Sequence, residues 1–298
     1  MANPVSYGMK LVYTIMFWFS IALVAASVVL LVLFGLNFGV DFRGGSVVEF
    51  SFSENRPPFE NVKSKLAGSG FSEITINYFG DDGIILRARE LTEKEHQDIL
   101  SVLKNNFPQI EEKKFESVGP VIGKELKNKS VVAISLVLFA VVVYIAIVFR
   151  KVSKTLSPWV MGFAAVIALL HDVIIPLGVF AVLGKFYGVE ISAVFVAAVL
   201  TILGYSVSDT VVVFDRVREN VIRGNSGSFP AIVHRSILQT LTRSLNTTFT
   251  TLLSLFAIYF FGGESIRYFA LALIIGIFLG AYSSIFVASP LMVWLSRK

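Results

Sequence analysis

No cysteine occurs among the 298 residues, which excludes disulfides, thiolate metal sites and covalent haem attachment. Walker-type phosphate loops, Gly-x-Gly-x-x-Gly, His-Glu-x-x-His and any nucleophile–base set are missing too. Neither ATP-driven nor hydrolytic chemistry has residues to carry it, so the chain is read as no enzyme and as needing no bound cofactor. Charge is scarce: 16% of residues are Asp, Glu, Lys or Arg, where about 25% is usual. The net charge of +5 does not point to nucleic acid, because no basic stripe carries interleaved aromatics.

What the chain has instead is apolar length. Hydrophobic residues make up 55% of it, gathered in runs long enough for the roughly 20 residues that a membrane-spanning helix needs. Six runs qualify: Leu11–Leu36, Ser130–Phe149, Leu156–Leu183, Ile191–Phe214, a fifth ending at Phe261 and interrupted by Arg243, and Tyr268–Leu295. The first is too long for the apolar part of a signal peptide and is expected to stay as an anchor. Short loops on one side carry Arg150, Lys151, Lys154, Arg216, Arg218, Arg223 and Arg235, and the C-terminus carries Arg297 and Lys298. The opposite loops offer only Lys185 and Arg267. Positive residues stay inside, which predicts cytoplasmic termini and export of the long segment after the first helix.

That segment, residues 39–129, divides an N-terminal part (1–38) from a helical part (130–298). It reads as a small α/β domain. Ser46–Phe52 alternates as a strand, and Pro58 and Phe59 open a helix that Gly68 and Gly70 end. Ile74–Phe79 and Ile84–Arg89 flank Asp81-Asp82-Gly83, a hairpin signal. Thr92 and Glu95 form a capping box for a helix to about Asn106, and Lys113–Val118 is a last strand. The order βαββαβ predicts a ferredoxin-like domain between the first and second of six transmembrane helices.

Three motifs are more specific. Gly39-Val40-Asp41-Phe42-Arg43-Gly44-Gly45 precedes the domain, with glycines suited to chain reversal. Val118-Gly119-Pro120-Val121-Ile122-Gly123 follows it. The fourth hydrophobic run closes on Gly204-Tyr205-Ser206-Val207-Ser208-Asp209-Thr210 and leads through Phe214-Asp215-Arg216 to Asn220. Together they resemble the SecF family, the smaller subunit of the SecD–SecF protein-export complex, over nearly the whole chain. Arg43 and Ser208 stand where that family more often has Thr or Ser, and Asn. The resemblance implies a half-transporter of the RND superfamily in the bacterial inner membrane. Its implied partners are SecD, the SecYEG channel, the translocating preprotein and the lipid bilayer, with the proton gradient as energy source.

Charged groups at membrane depth cost roughly 2.5–3.5 kcal/mol each on insertion scales and so need a reason. Asp209 sits about six residues inside the fourth run, roughly 9 Å deep at 1.5 Å per residue. Arg243 falls at matching depth if the fifth helix starts near Ile237, and the two are expected to pair. Read from the residues alone, that pair serves either packing or proton transfer; the resemblance favours a proton relay. Arg243, Asn246 or Thr247, Thr250 and Ser254 form a polar stripe at helical spacing. His171 and Asp172 lie mid-way along the third run, near Pro176, as either a hydrogen-bonded pair or a second relay station. Asp215, Arg216, Arg218 and Glu219 read as surface loop charges. Gly35-x-x-x-Gly39 and Gly276-x-x-x-Gly280 permit close helix packing without marking a subunit interface. Two other functions stay open: half of a small-molecule or lipid exporter, and a scaffold of the channel that transports nothing.

Overall fold

The computed structural model describes residues 4–53, 56–71, 73–79, 82–150, 157–224 and 227–296. Contacts divide the chain into two compact units, residues 38–131 and residues 1–37 with 132–298.

In the smaller unit a short helix, α2 (Val40–Arg43), leads into β1 (Gly45–Phe52), followed by α3 (Phe59–Gly68), β2 (Thr75–Phe79), β3 (Gly83–Ala88), α4 (Glu93–Asn106) and β4 (Ile110–Val118). The strands form one antiparallel sheet in the order β2-β3-β1-β4. Alternation along β1 sends Val48, Phe50 and Phe52 to one face, where they bury against Val62 and Leu66 of α3 and Ile99 and Leu103 of α4. The capping box at α4 has both arms: Thr92 Oγ1 accepts from the Glu95 amide at 3.3 Å, and the Thr92 amide donates to Glu95 Oε2 at 2.8 Å. Asp81 of the hairpin signal lies outside the described residues.

The motifs bracketing this unit are more helical than tight reversal suggests. Residues 40–43 are α2, and Pro120 opens a helix of 29 residues, α5 (Pro120–Val148). Proline suits that first position, where no N–H is needed. Reversal is confined to Gly44 and Gly45, with φ of 78° and 117°. A Cβ on Gly44 would lie 2.7 Å from Pro120 Cα, and one on Gly123 would lie 3.1 Å from the Gly44 amide. The two motifs therefore meet backbone to backbone.

The larger unit holds α1 (Pro4–Phe34), most of α5, α6 (Pro158–Tyr187), α7 (Ala193–Ile222), α8 (Phe229–Phe261) and α9 (Glu264–Ser283). A π-helical turn, Ser284–Ala288, joins α9 to α10 (Ser289–Leu295). Pro290 has no N–H for the carbonyl four residues back, which suits a widened turn there, and Ser289 Oγ donates to the Ser284 carbonyl at 2.7 Å. Among the described residues, six helical stretches are long and apolar enough to cross a membrane.

Several boundaries differ from the sequence expectation, and two of them bear on the charged residues. α7 continues to Ile222, eight residues past Phe214, so Asp215, Arg216, Arg218 and Glu219 are helical rather than loop residues. Ion pairs at helical spacing, Arg216–Glu219, Arg218–Asp215 and Arg223–Glu219, carry the helix past its apolar part. α8 starts at Phe229, not near Ile237, with Pro230 in its first turn. Lys151, Lys154, Arg297 and Lys298 lie outside the described residues. Gly276 and Gly280 seat α9 on α7, against Ile202 and Ser206. Gly39 lies beyond the end of α1, so Gly35 and Gly39 share no helix face.

Candidate functional site in the helical unit

α7 and α8 run antiparallel as a long helical hairpin. Asp209 stands thirteen residues before the end of α7 and Arg243 fourteen after the start of α8, each about 20 Å along its helix at 1.5 Å per residue. The two residues thus stand at similar distances from the facing ends of α7 and α8.

The expected ion pair does not form. No N–O contact within 4.0 Å joins Asp209 to Arg243. Arg243 is exposed on α8. Asp209 is 8% exposed and turns toward Ser244. Its Oδ2 has no hydrogen-bond partner, and neither do the buried hydroxyls of Ser244 and Thr248. The expected stripe divides accordingly. Arg243, Asn246, Thr247, Thr250 and Ser254 are exposed, with the Thr247, Thr250 and Ser254 hydroxyls donating back to carbonyls of their own helix. The buried polar face is Ser236, Thr240, Ser244 and Thr248, every fourth residue, which the sequence reading missed although its spacing was visible.

Ser244 and Thr248 also line a cleft of about 530 Å³ between α1, α8 and α9, walled mainly by apolar side chains, with Tyr13, His234 and Tyr282 contributing rings. Tyr13 Oη and His234 Nδ1 lie 2.9 Å apart across it.

Asp172 and His171 bond to each other, at 2.8 Å between Asp172 Oδ1 and His171 Nδ1. The other oxygen of Asp172 accepts from Ser206 Oγ of α7 at 2.6 Å and from Ser283 Oγ of α9 at 2.7 Å. Asp172 is fully buried, and neither serine belonged to the expected site. Partners 34 and 111 residues away leave no periodic signal in the sequence.

The third motif ties α7 to α8 at two levels. Tyr205 Oη lies 3.1 Å from Thr251 Oγ1. Nearer the helix ends, Gln239 Oε1 accepts from Arg216 Nε at 2.7 Å and from Asn220 Nδ2 at 2.9 Å. Asp215 holds Arg218 at 3.0 Å. Gly204 meets no neighbouring atom within 4 Å of a Cβ position, so no close approach inside this chain demands it. The motif residues Gly39, Asp41, Phe42, Gly44, Gly45, Gly119, Pro120 and Gly123 lie in the smaller unit, around the junction of α2 with α5. No group of three or more His, Asp or Glu side chains suited to a metal ion occurs among the described residues.

Residues 98–298 match the family described as protein export membrane protein SecD/SecF, C-terminal, and residues 29–55 match the SecD/SecF GG motif. A protein translocase subunit SecF of Thermobaculum terrenum is 45% identical over 291 residues, covering 94% of this chain and 90% of the relative. Its counterpart from Desulfurispirillum indicum is 39% identical, covering 92% and 87%. A protein translocase subunit SecDF of Brucella abortus is 38% identical across 94% of this chain, which spans 36% of that longer relative. The crystal structure of SecDF from Thermus thermophilus, described as a translocon-associated membrane protein, superposes with a TM-score of 0.79 at 33% identity. It covers 96% of this chain, which spans 38% of the SecDF chain. Matches of this extent, to the motif before β1 and to every helix from α5 onward, show that the chain belongs to the SecF family of multi-pass protein-export membrane proteins.

Proposed function

We propose that this chain pairs with SecD in the bacterial inner membrane and uses the proton-motive force to promote export of secreted proteins through the SecYEG channel. Both termini are cytoplasmic in this reading, and the smaller unit is a ferredoxin-like domain on the outer side. The chain is not an enzyme and takes no cofactor. Its energy is the proton gradient, about 2.3 kcal/mol per proton for each 100 mV.

Asp209 carries the reading. A buried carboxylate with one oxygen unpartnered, turned toward a Ser244 hydroxyl that is unpartnered too, is a poor packing element. Modest movement of α8 against α7 changes the surroundings of that carboxylate, and with them its hold on a proton. The unpaired geometry supports this role better than a tight ion pair, which would fix the charge. Arg243, with the exposed polar side chains beside it on α8, is the part we assign to the SecD-facing surface.

Asp209→Asn tests the proposal, because asparagine keeps the size but cannot release a proton. The variant should assemble with SecD and lose gradient-dependent stimulation of export into membrane vesicles. Full stimulation in an assembled Asp209→Asn complex refutes proton coupling and leaves a scaffold of the channel.

A further inference from the structure

We propose that Asp172 is a positioning residue, a hydrogen-bonded clamp that holds α6, α7 and α9 in register behind Asp209, and not a station on the proton path. The inference rests on the reading of Asp209 as the coupling residue.

A fully buried carboxylate is costly unless its lone pairs are occupied. Asp172 meets that condition with three donors from three helices: His171 of α6, Ser206 of α7 and Ser283 of α9. The only titratable side chain among these partners is His171; α7 and α9 present hydroxyls alone. Ser206 stands one turn before Asp209 on α7, so its bond to Asp172 sets the rotation of the segment that carries the coupling residue. Ser283 is the last residue of α9, directly before the π-helical turn, where a widened turn changes the helix phase. α7 can come this close because position 280 has no side chain: a Cβ there would lie 3.0 Å from Ser206 Cβ. His171 stacks beside Tyr282, and its Nε2 has no partner in the buried interior.

This arrangement makes asparagine an informative replacement. Its carbonyl oxygen can accept from both serines, and its amide can donate to His171 Nδ1 once the imidazole carries its hydrogen on Nε2. All three contacts survive while the titratable charge is gone. A clamp tolerates that exchange and a proton carrier does not.

The experiment uses the full chain assembled with its SecD partner and reads gradient-stimulated export into vesicles across a pH series. A second readout is the distance between spin labels on cysteines placed at exposed Thr201 and Phe278, in a chain with no cysteine of its own. Asp172→Asn should keep stimulation within about twofold of the parent and the same pH midpoint. Ser206→Ala with Ser283→Ala should assemble normally, move the midpoint by about one pH unit or more, and broaden the label distance. Loss of stimulation in Asp172→Asn, with assembly intact, overturns the proposal in favour of proton transfer. An unmoved midpoint and an unbroadened distance in the serine pair overturn it in favour of plain packing. Asp209→Asn in the same series separates the two readings. If that variant keeps its stimulation, coupling at Asp209 fails, and the clamp stands or falls on the label distances alone.

Discussion

Arg243 offers five donors in a planar fork, and lysine offers one mobile ammonium. Exposed on α8 and unpaired with Asp209 in this chain, the guanidinium is free to engage an acceptor from a neighbouring subunit. Arg243→Lys should insert and assemble normally while gradient stimulation of export falls by at least about threefold, since the charge survives and the fork does not. Unchanged stimulation would mean that only charge matters there. Asp209 and Arg243 are legible in the sequence because a charge stands out against an apolar run. Their relation was not legible. Sequence gives position along a helix but leaves its rotation open, and rotation turns Ser244 toward Asp209 while Arg243 faces outward. Ser206 and Ser283 went unseen for a related reason: a hydroxyl among apolar residues has no signature until its acceptor is placed.

Elements with local causes were read closely. The start of α4 is legible in its capping box, and Glu95 shows why the box is strong. The Thr92 amide, the Thr92 hydroxyl and then Arg89 draw its carboxyl down to about 2. The folded value lies below the unfolded one, so this stabilisation is present above the usual carboxylate range and is lost as pH falls through about 2. Residues 38–131 expressed alone should therefore lose stability in acid below about pH 4, and Glu95→Gln should flatten that decline in urea titrations. Thr92→Ala should cost about 1 kcal/mol in the same measurement. Where hydrophobicity and helical order part company, sequence reading stopped short. The end of α7 is polar yet helical, held by side-chain pairs outside the apolar window. Close helix contact was foreseen for Gly276 and Gly280, although which helix they meet was not. Gly280→Leu should push α9 from α7 and lower stability by about 1–3 kcal/mol, visible as a reduced Tm of the purified protein with its fold intact.

At the scale of the molecule, the sequence conveyed the number of long apolar helices and the βαββαβ order through periods of 3.6 and 2, each of which repeats over many residues. Orientation across the membrane rests on loop charge alone and is open to a direct test. A reporter active only outside the cytoplasm should be active when fused after Gly83 and silent after Gly227, and the reverse pattern would invert the proposed topology. The smaller unit adds a mechanical consequence. Gly45 pairs with Val118 at the point where the chain enters β1 and leaves β4, and Gly44 and Gly123 seat the flanking segments against each other. Both tethers thus grip the sheet at one corner, like two cords tied to a single eyelet. Drawing the cords apart unfastens β1 from β4 one rung at a time, which takes little force. Turning or hauling them together loads no rung at all, so the unit can transmit a pull as a rigid body for as long as its glycine knot stays closed.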